Sequence, residues 1–342
     1  YTTGVANPYL LLEPSRTNLF EQSEYFGASN WVKNQLSVTD NADTTPEGVD
    51  NASLIIPNTS NGTKSIGDSA GISSGTYTLS VFAKQGGYKN LLVWFDGHSG
   101  GVGVNLDDLS VFRDQNNDGY KIESFSNGWV RISVTCTIST SAPPNIYVYS
   151  NAATPAIIFV GDGTSGVYLY GAQVELGTYA TSYIPTYSVS ATRAADLCNN
   201  DGVGSLFGTN IGSFFLDAEG PGYSGLPSYL FDLSDNASTG ANRFGMYSIN
   251  TTTMVFYTNA DRYITTSVTA RKKIAVIWDG TNTKVYLNGA KVLDFTYANA
   301  NPTSINLSSR FTDGDFGNSK FNQVVGFPTA LTDAEAITLT TI

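Results

Sequence analysis

The amino-acid sequence predicts an all-β protein with two antiparallel β-sandwich domains of jelly-roll type in tandem and a short C-terminal helix. Apolar and polar side chains alternate with a period of two along many short segments, which is typical of strands with one buried face. Clusters of Gly, Asn, Asp, Ser and Pro separate these segments. Charged residues make up only 14% of the 342 residues, so hydroxyl and amide side chains must provide much of the solubility.

The first domain is predicted to span residues 1–190. Short strands at close spacing, separated by turn residues, favour an antiparallel sandwich or jelly roll. Residues 161–185 read as a turn, a strand, a second turn and an extended exit that Pro185 keeps out of the helical region. We therefore place a linker after this exit, over residues 191–204. The alternating segments of the domain are residues 75–84, 90–96, 129–135, 145–149 and 167–176.

The second domain is predicted to span residues 205–342. The dipeptide Asn288-Gly289 marks a tight turn after a hairpin. Thr332 and Glu335 have the spacing of a capping box, which predicts that a short helix begins there. The two domains differ in pattern, which argues against an internal repeat. The alternating segments of this domain are residues 211–219, 242–249, 253–257 and 273–292.

The charge balance argues against nucleic acid as a partner. The chain has 18 basic and 29 acidic residues, a net charge of −11, and its basic residues are scattered. Such a surface repels a phosphate backbone. Since no apolar run approaches the roughly 20 residues that span a bilayer, we expect no membrane insertion. Acidic loops could instead hold a hard cation such as structural calcium, and no other cofactor is implied.

The two cysteines are predicted to be free thiols. Cys136 shares a strand face with Val134 and Ile138, so it is expected in the core. Cys198 follows the first domain, and a disulfide between the two would have to cross the domain border. We therefore expect no disulfide scaffold.

Several motifs resemble known families. Residues 10–19, 80–84, 127–131 and 171–175 resemble, in this order, the carbohydrate-binding-module-like jelly-roll domains of bacteriophage tail and fibre proteins. Residues 273–292 resemble laminin-G-like or concanavalin-like sandwiches, in which a Trp-containing strand leads into a Tyr-Leu-Asn-Gly turn. The resemblance implies a protein of the virion surface, outside the cell, that binds a bacterial surface glycan. Its further partners would be other virion proteins and further copies of itself.

Catalytic residues are scarce. His98 is the only histidine, and no nucleophile elbow accompanies it. Asp217 and Glu219 share a strand face, as paired hydrolase carboxylates would, but the hydrolase signature Glu-x-Asp-x-x-Glu is absent. The sequence therefore favours a binding protein that is not an enzyme. Two alternatives stay open: a structural spacer or decoration protein without a ligand, and a polysaccharide lyase or hydrolase.

Aromatic side chains provide the candidate ligand-binding residues. Sugar recognition needs flat rings that stack on pyranose faces, and polar groups that bind the hydroxyls. Alternation places Trp94 with Asp96, and Tyr147 with Tyr149, while residues 257–263 form a polar aromatic loop. The same rings could instead pack in the core, because both faces of these segments are apolar. The candidates are Trp94, Asp96, His98, Tyr147, Tyr149, Tyr257, Asp261, Arg262 and Tyr263.

The loop of residues 114–119 matches the first half of an EF-hand calcium-binding loop, D-x-[DN]-x-[DN]-G. The closing acid of that motif would fall on Phe125, and Glu123 stands two positions early. A hairpin turn explains the loop as well. A second acidic loop, residues 40–50, has the same ambiguity. The candidate calcium ligands are Asp114, Asn116 and Asp118.

Overall fold

A computed structural model describes residues 9–68, 72–220, 227–235, 242–297, 301–310 and 317–342. The chain divides into two compact units. The N-terminal unit comprises residues 16–193, and the C-terminal unit comprises residues 194–342 together with residues 9–15. The helical elements of the described residues are two short 3-10 helices, Ser126–Gly128 and Val203–Leu206, and one α-helix, α1 (Asp333–Thr340).

Strands make up most of the N-terminal unit. The first strand of the chain, β1 (Leu10–Leu12), belongs to the C-terminal unit. The strands of the N-terminal unit are β2 (Arg16–Asn18), β3 (Trp31–Asn34), β4 (Leu36–Asp43), β5 (Ala52–Pro57), β6 (Asn61–Asp68), β7 (Gly75–Gly86), β8 (Asn90–Phe95), β9 (Gly100–Asn105), β10 (Val111–Gln115), β11 (Gly119–Ser124), β12 (Val130–Ile138), β13 (Pro144–Tyr149), β14 (Ile158–Val160), β15 (Gly166–Leu176) and β16 (Ala191–Arg193).

These strands form two large antiparallel sheets. One sheet has the order β11-β12-β7-β15-β5-β4, and the other has the order β10-β9-β8-β13-β6-β14, with β3 also paired to β6. A small sheet joins β2 to β16. One apolar cluster takes alternate side chains from both large sheets, for example Leu79 and Val81 from β7 and Val93 and Phe95 from β8. The period-two alternation therefore builds a sandwich core.

The C-terminal unit repeats this architecture with different strand connections. Its sheets have the orders β1-β27-β18-β23-β24-β25 and β17-β26-β19-β20-β21-β22, with antiparallel pairing throughout. The strands are β17 (Cys198–Asp201), β18 (Ile211–Glu219), β19 (Ser228–Ser234), β20 (Phe244–Ser248), β21 (Thr253–Tyr257), β22 (Asp261–Thr265), β23 (Arg271–Asp279), β24 (Asn282–Leu287), β25 (Ala290–Thr296), β26 (Ser304–Leu307) and β27 (Ser319–Phe327).

The capping box predicted for the C-terminal helix is present. The Glu335 backbone N–H donates to Thr332 Oγ1 over 3.3 Å, and the Thr332 N–H donates to Glu335 Oε2 over 2.8 Å. Two amide groups that would otherwise lack partners at the helix start are thereby satisfied. The predicted fold class, an all-β chain of antiparallel sheets with a short C-terminal helix, is confirmed.

The structure corrects the expected domain border at both ends. Strand β1 pairs with β27, so residues 10–12 complete a sheet of the C-terminal unit, although the sequence placed them in the first domain. The predicted linker, residues 191–204, contains two strands: β16 pairs with β2, and β17 pairs with β26. These edge pairings join segments that are distant in the sequence, and periodicity within a segment carries no information about its partner strand.

The segment around β15, which includes residues 171–175, forms a buried hydrogen-bond network. Asn18 Nδ2 donates to the carbonyls of Ala172 (3.1 Å) and Ile184 (2.9 Å), and Asn18 Oδ1 accepts from the N–H groups of Phe20 and Val174. Asn18 thus uses all of its hydrogen-bonding capacity and ties the opening segment to β15 and its exit.

Gln173 and Glu175 extend this network. Glu175 accepts from the N–H and the hydroxyl of Thr181 (2.8 Å each) and from Gln173 Nε2 (2.6 Å), while Gln173 Oε1 accepts from the Ile184 N–H (2.7 Å). Since Gln173, Glu175 and Thr181 are buried and partnered, these three residues stabilise the fold and present no polar group to a ligand.

Both cysteines are unpaired thiols, as predicted. Cys136 is fully buried, and burial raises the pKa of its thiol to about 12. Cys198 is half-buried, and burial also raises its thiol pKa. Because the thiolate is the reactive form, both side chains are expected to react slowly with thiol reagents.

Candidate functional site

The candidate aromatic residues of the N-terminal unit lie on the outward face of the seven-stranded sheet. Trp94 pairs with Asn145 in the register of β8 and β13, and Leu92 pairs with Tyr147. Their neighbours Val93 and Phe95 point into the core instead. We call this surface the Trp94 face; it consists of Leu92, Trp94, Phe112, Tyr147 and Tyr149, which pack together.

The Trp94 face is covered by an arginine of its own chain. Arg113, on the edge strand β10, places its guanidinium carbon 4.3 Å from the centroid of the Trp94 ring. Arg113 Nη1 also donates to Tyr149 Oη over 3.1 Å. Trp94 is only 7% exposed and Tyr149 only 5%. A sugar could stack on this indole only after displacing the arginine, so the geometry favours a packing role.

Asp96 is engaged with neighbours on β13. The Tyr147 hydroxyl donates to both of its carboxylate oxygens (2.7 and 2.8 Å), and Asn145 Nδ2 donates over 2.6 Å. Burial, and then the hydrogen bond to Asp96, raise the pKa of the Tyr147 hydroxyl. The phenol therefore stays protonated and keeps donating to the carboxylate.

His98 and the candidate calcium ligands lie in neighbouring turns. His98 Nε2 lies 2.9 Å from the Asn116 carbonyl oxygen, while Asn116 Nδ2 donates to the Ser99 carbonyl over 3.2 Å. Asp114 accepts from Asn117 Nδ2. These contacts tie the β8–β9 turn to the β10–β11 turn, which is the hairpin role that the sequence left open.

The three candidate calcium ligands each make separate contacts. The Asp118 carboxylate accepts from the Thr137 hydroxyl over 2.7 Å, whereas the Asp114 carboxylate accepts from a different residue, Asn117. Across the described ranges, no group of three or more His, Cys, Asp or Glu side chains is placed to hold a metal ion. Calcium binding by Asp114, Asn116 and Asp118 stays a prediction.

The candidate residues of the C-terminal unit are brought together on adjacent strands. In the pairing of β21 and β22, Tyr257 lies opposite Asp261 and Val255 lies opposite Tyr263. Tyr247 on β20 lies opposite Val255 and donates its hydroxyl proton to Asp261 Oδ1 over 3.0 Å. Tyr263 is 65% exposed. We call this surface the Tyr263 face; it consists of Tyr247, Tyr257, Asp261 and Tyr263.

A buried ion pair lies beside the rings of the Tyr263 face. Arg243 is 3% exposed, and its Nε donates to Asp232 Oδ1 over 2.8 Å. Its guanidinium carbon lies 5.0 Å from the ring centroid of Tyr257 and 5.5 Å from that of Tyr229. Burial alone would lower the pKa of Arg243, but its hydrogen bond to Asp232 and the carboxylate charge raise it. Arg243 therefore stays charged and helps to fix the Tyr257 and Tyr229 rings beside it.

Two further rings complete this support. Tyr229 and Tyr247 stack with ring centroids 4.8 Å apart and an interplanar angle of 27°. Gly245 lies two residues before Tyr247 on β20, and a Cβ there would lie 3.3 Å from the Tyr229 ring. Glycine thus lets the ring lie across the strand. Burial, and then the hydrogen bond to Asp261, raise the pKa of Tyr247, so its hydroxyl remains a donor.

Arg262 does not join the Tyr263 face. It alternates with Asp261 and Tyr263 along β22, and its guanidinium carbon lies 3.6 Å from the Phe295 ring centroid. Its Nη1 donates to the Thr258 hydroxyl and the Ala260 carbonyl, 2.9 Å each. The sequence treated residues 257–263 as one loop, whereas the last three begin a strand whose side chains alternate between faces.

The paired carboxylates on β18 are bound to basic partners. Asp217 accepts from Arg271 Nε and Nη2 over 2.8 and 2.6 Å, and Glu219 lies 3.8 Å from Lys320 Nζ. The hydrogen bonds from Arg271 hold the pKa of Asp217 below its usual value. A glycosidase acid needs a raised pKa, so this carboxyl lacks the property that the chemistry requires.

Sequence reasoning missed one polar aromatic cluster, which lies in the N-terminal unit. The Glu24 carboxylate accepts hydrogen bonds from three tyrosine hydroxyls, those of Tyr170, Tyr183 and Tyr187. Only the alternation of Tyr168 and Tyr170 along β15 gave a signal, because the other members come from loops distant in the sequence. It also missed Arg243, whose position four residues before Tyr247 within the alternating segment 242–249 could have indicated the same face as Tyr247.

Comparison with known proteins finds solved structures of low similarity. No protein-family model and no curated protein matches it. Similar solved structures include the Ruminococcus gnavus IT-sialidase CBM40 bound to α2,3-sialyllactose (13% identity, 43% of this chain and 93% of that chain, TM-score 0.35). Others are domains LG4-5 of the mouse laminin α1 chain (10%, 96% and 96%, 0.24) and the CBM22-1–CBM22-2 tandem of Paenibacillus barcinonensis Xyn10C (12%, 96% and 100%, 0.26). Because these scores are low, the fold assignment rests on the strand pairings described above.

In the described part of the chain, no helix has the length and apolar character needed to cross a membrane.

Proposed function

We propose that this protein binds a glycan without catalysing its cleavage, and that the Tyr263 face is the binding surface. The observation that carries the proposal is the exposed Tyr263 ring beside the Asp261 carboxylate, on strands whose other rings are fixed by Arg243. An aromatic ring with a free face can stack on a pyranose, and a carboxylate can accept hydrogen bonds from sugar hydroxyls.

The fixed support of this face favours recognition over a passive role. Tyr247 and Arg243 hold Asp261 and Tyr257 before any ligand arrives, so binding would lose little side-chain entropy at these positions. A single such platform binds weakly, and several copies on one particle would add strength through multivalency. This supports the proposal of a phage virion appendage that attaches to a bacterial surface polysaccharide, alongside other virion proteins and as a homo-oligomer.

The first alternative is a spacer or decoration protein without a ligand. The covered Trp94 ring favours it for the N-terminal unit, since that face is closed by Arg113. A polysaccharide depolymerase is the second alternative. It would require a carboxyl with a raised pKa, which Asp217 beside Arg271 does not provide.

A screen of the full chain against bacterial surface polysaccharides tests the proposal. We expect binding at millimolar or lower ligand concentration, without new reducing ends or unsaturated uronate. Repeating the screen with calcium and with a chelator tests Asp114, Asn116 and Asp118 as ligands of a structural ion. If no glycan binds at millimolar concentration, the spacer alternative replaces the proposal; if new chain ends appear, the depolymerase replaces it.

A further inference from the structure

The N-terminal unit contains a second polar aromatic site, which is independent of the Tyr263 face. It lies beside the outward face of the sheet that contains β7 and β15. Tyr187 is 67% exposed, so the site is open to solvent. We call it the Glu24 site; its members are Glu24, Glu47, Asn51, Tyr170, Tyr183 and Tyr187.

Four donors converge on the Glu24 carboxylate. Asn51 Nδ2 donates to Oε2 over 2.9 Å. The hydroxyls of Tyr183 (3.1 Å), Tyr187 (3.3 Å) and Tyr170 (3.4 Å) lie around Oε1. Hydroxyl groups that donate to Glu24 turn their own lone pairs away from it, so the tyrosines present acceptors to anything that binds beside them.

A second carboxylate approaches the same tyrosines. The exposed Glu47 lies near enough to the Tyr170 hydroxyl to affect its ionisation, whereas the hydrogen bond of that hydroxyl goes to Glu24. Burial, and then the nearby Glu47 and Glu24 carboxylates, raise the pKa of Tyr170, so the phenol stays protonated.

The site has a rigid base. Tyr170 packs with Phe82 and the fully buried Trp129, whose indole N–H donates to the Thr44 carbonyl over 3.0 Å. Gly171, with φ +60°, bends β15 at this point, and a Cβ there would contact Phe82 at 3.0 Å and Tyr183 at 3.2 Å. The bend therefore brings Tyr183 against Tyr170, with ring centroids 5.3 Å apart.

The charges of the site are uncompensated. In the described part of the chain, neither Glu24 nor Glu47 has a lysine or arginine partner, whereas other acids of the same unit are paired. Asp43 lies 2.7 Å from Lys84 Nζ, Glu175 lies 3.7 Å from Arg16 Nε, and Asp107 lies 3.3 Å from Lys89 Nζ. A carboxylate held by neutral donors without a cation, with a second acid close to the same phenol, favours a positively charged ligand.

The remaining polar atom of the site is also an acceptor. Asn51 Oδ1 is buried and accepts no hydrogen bond from the residues that the structure describes. Its amide nitrogen is fixed by Glu24, so the oxygen cannot exchange places with it. The site thus offers carboxylate, amide and phenol oxygens, and a complementary ligand must supply hydrogen-bond donors.

We infer that the Glu24 site binds a primary ammonium group, as carried by an amino sugar or a lysine side chain. An ammonium group has three donors and no acceptor, which matches the oxygens of the site, and it is attracted to aromatic rings. Calcium fits less well, because its usual ligands are carboxylate and carbonyl oxygens, and three of the oxygens of this site belong to phenols.

A comparison of glucosamine with N-acetylglucosamine tests this inference on the full chain. The two sugars differ in the charged amine, and Nα-acetyl-lysine amide supplies the same amine on a peptide-like molecule. We expect glucosamine to bind about tenfold more tightly than N-acetylglucosamine in calorimetry or ligand-observed NMR. The lysine analogue distinguishes the two sources of the ammonium group. Tighter binding of glucosamine would identify an amino sugar as the ligand, and tighter binding of Nα-acetyl-lysine amide would identify a lysine side chain.

Variants localise the binding. Glu47→Gln changes an exposed side chain, and Tyr187→Phe removes an exposed hydroxyl, so both variants should keep the wild-type unfolding temperature. We expect Glu47→Gln to weaken glucosamine binding about fivefold or more. Glu123→Gln is the matched control, since it neutralises an acid of the same unit that is paired with Lys121 outside the site, and it should leave glucosamine binding unchanged.

The inference is overturned by equal affinity for the two sugars, by unchanged glucosamine binding in Glu47→Gln, or by calcium that binds there in preference to the amine. Its failure is separate from that of the proposed glycan binding, because Tyr263→Ala reports on one site and Glu47→Gln on the other.

Discussion

The Trp94 face and the Tyr263 face use the same kinds of residue with opposite results. Each combines aromatic rings, a carboxylate and an arginine on the outward side of a sheet. On the Trp94 face the arginine covers the ring, and Trp94 is 7% exposed. On the Tyr263 face Arg243 is 3% exposed and lies beside the Tyr257 and Tyr229 rings, and Tyr263 remains 65% exposed. The ring that the cation contacts thus distinguishes a packed surface from an open platform.

Replacement of the packed indole should have the largest effect. Trp94→Ala is expected to lower the free energy of unfolding of the N-terminal unit by about 3–5 kcal/mol, because it leaves a cavity under Arg113. Chemical denaturation followed by circular dichroism measures this loss. A decrease below about 1 kcal/mol would mean that Trp94 is not a packing residue and that the two faces are alike.

The buried cation of the Tyr263 face comes next. Arg243→Met should destabilise the C-terminal unit by about 3 kcal/mol, because Asp232 is left buried without its ion-pair partner. The double variant Arg243→Met/Asp232→Asn is the control, and it should recover part of the loss because no buried charge remains. If the single and double variants unfold alike, the charge of Asp232 is not what the arginine compensates.

The pH dependence of stability separates the units further. Burial lowers the pKa of Lys272 in the C-terminal unit to about 8, while its Nζ donates to the carbonyls of Gly220, Val268 and Ala270. In the unfolded chain the same group titrates near 10.4. The unfolded state therefore binds more protons between these values, and stability should rise with pH across this window, by about 3 kcal/mol in total.

Unfolding of wild type and of Lys272→Met between pH 7.5 and 9.5 checks this dependence. Below pH 8 both states hold the proton and the slope should vanish. Above about pH 10 the raised pKa of Tyr247 acts in the opposite direction, since the unfolded phenol loses its proton first. An identical pH profile for the variant would show that Lys272 does not carry the effect.

Removal of the covering arginine should have the smallest effect on stability. Arg113→Ala is expected to cost about 0.5–1 kcal/mol, because an edge-strand cation–π contact is lost. Its clearer consequence is exposure of Trp94 to acrylamide quenching. The other tryptophans, Trp31, Trp129 and Trp278, are at most 3% exposed. An increase in fluorescence quenching relative to the wild type would therefore come from Trp94. Unchanged quenching would show that Arg113 does not shield the ring.

The sequence predicted the fold more fully than the site. Alternation within segments identifies strands such as β8 and β18, and the capping box at Thr332 identifies the start of α1, because these signals are local. It also brought Tyr257 and Asp261 together, since a short turn joins their strands. The sequence did not separate Arg262 from these residues, because strand alternation begins at Asp261 within the segment that it treated as a loop.

Other parts of the site could not be predicted, for a physical reason. Whether Trp94 is open depends on Arg113, and β10 reaches β8 only through β9. The Glu24 site joins loop residues to Tyr170 across most of the N-terminal unit, and Arg243 becomes a support only through Asp232 on another strand. Pairing between distant segments places these groups, and a single sequence does not encode it in a local pattern.

The most direct test of the central claim is the affinity of wild type and Tyr263→Ala for a glycan selected in the polysaccharide screen. We predict that the variant binds about tenfold more weakly, because a stacking ring contributes roughly 1–1.5 kcal/mol. Its unfolding temperature should match that of the wild type, since the ring is exposed. Equal affinity of the two proteins would contradict the assignment of glycan binding to the Tyr263 face.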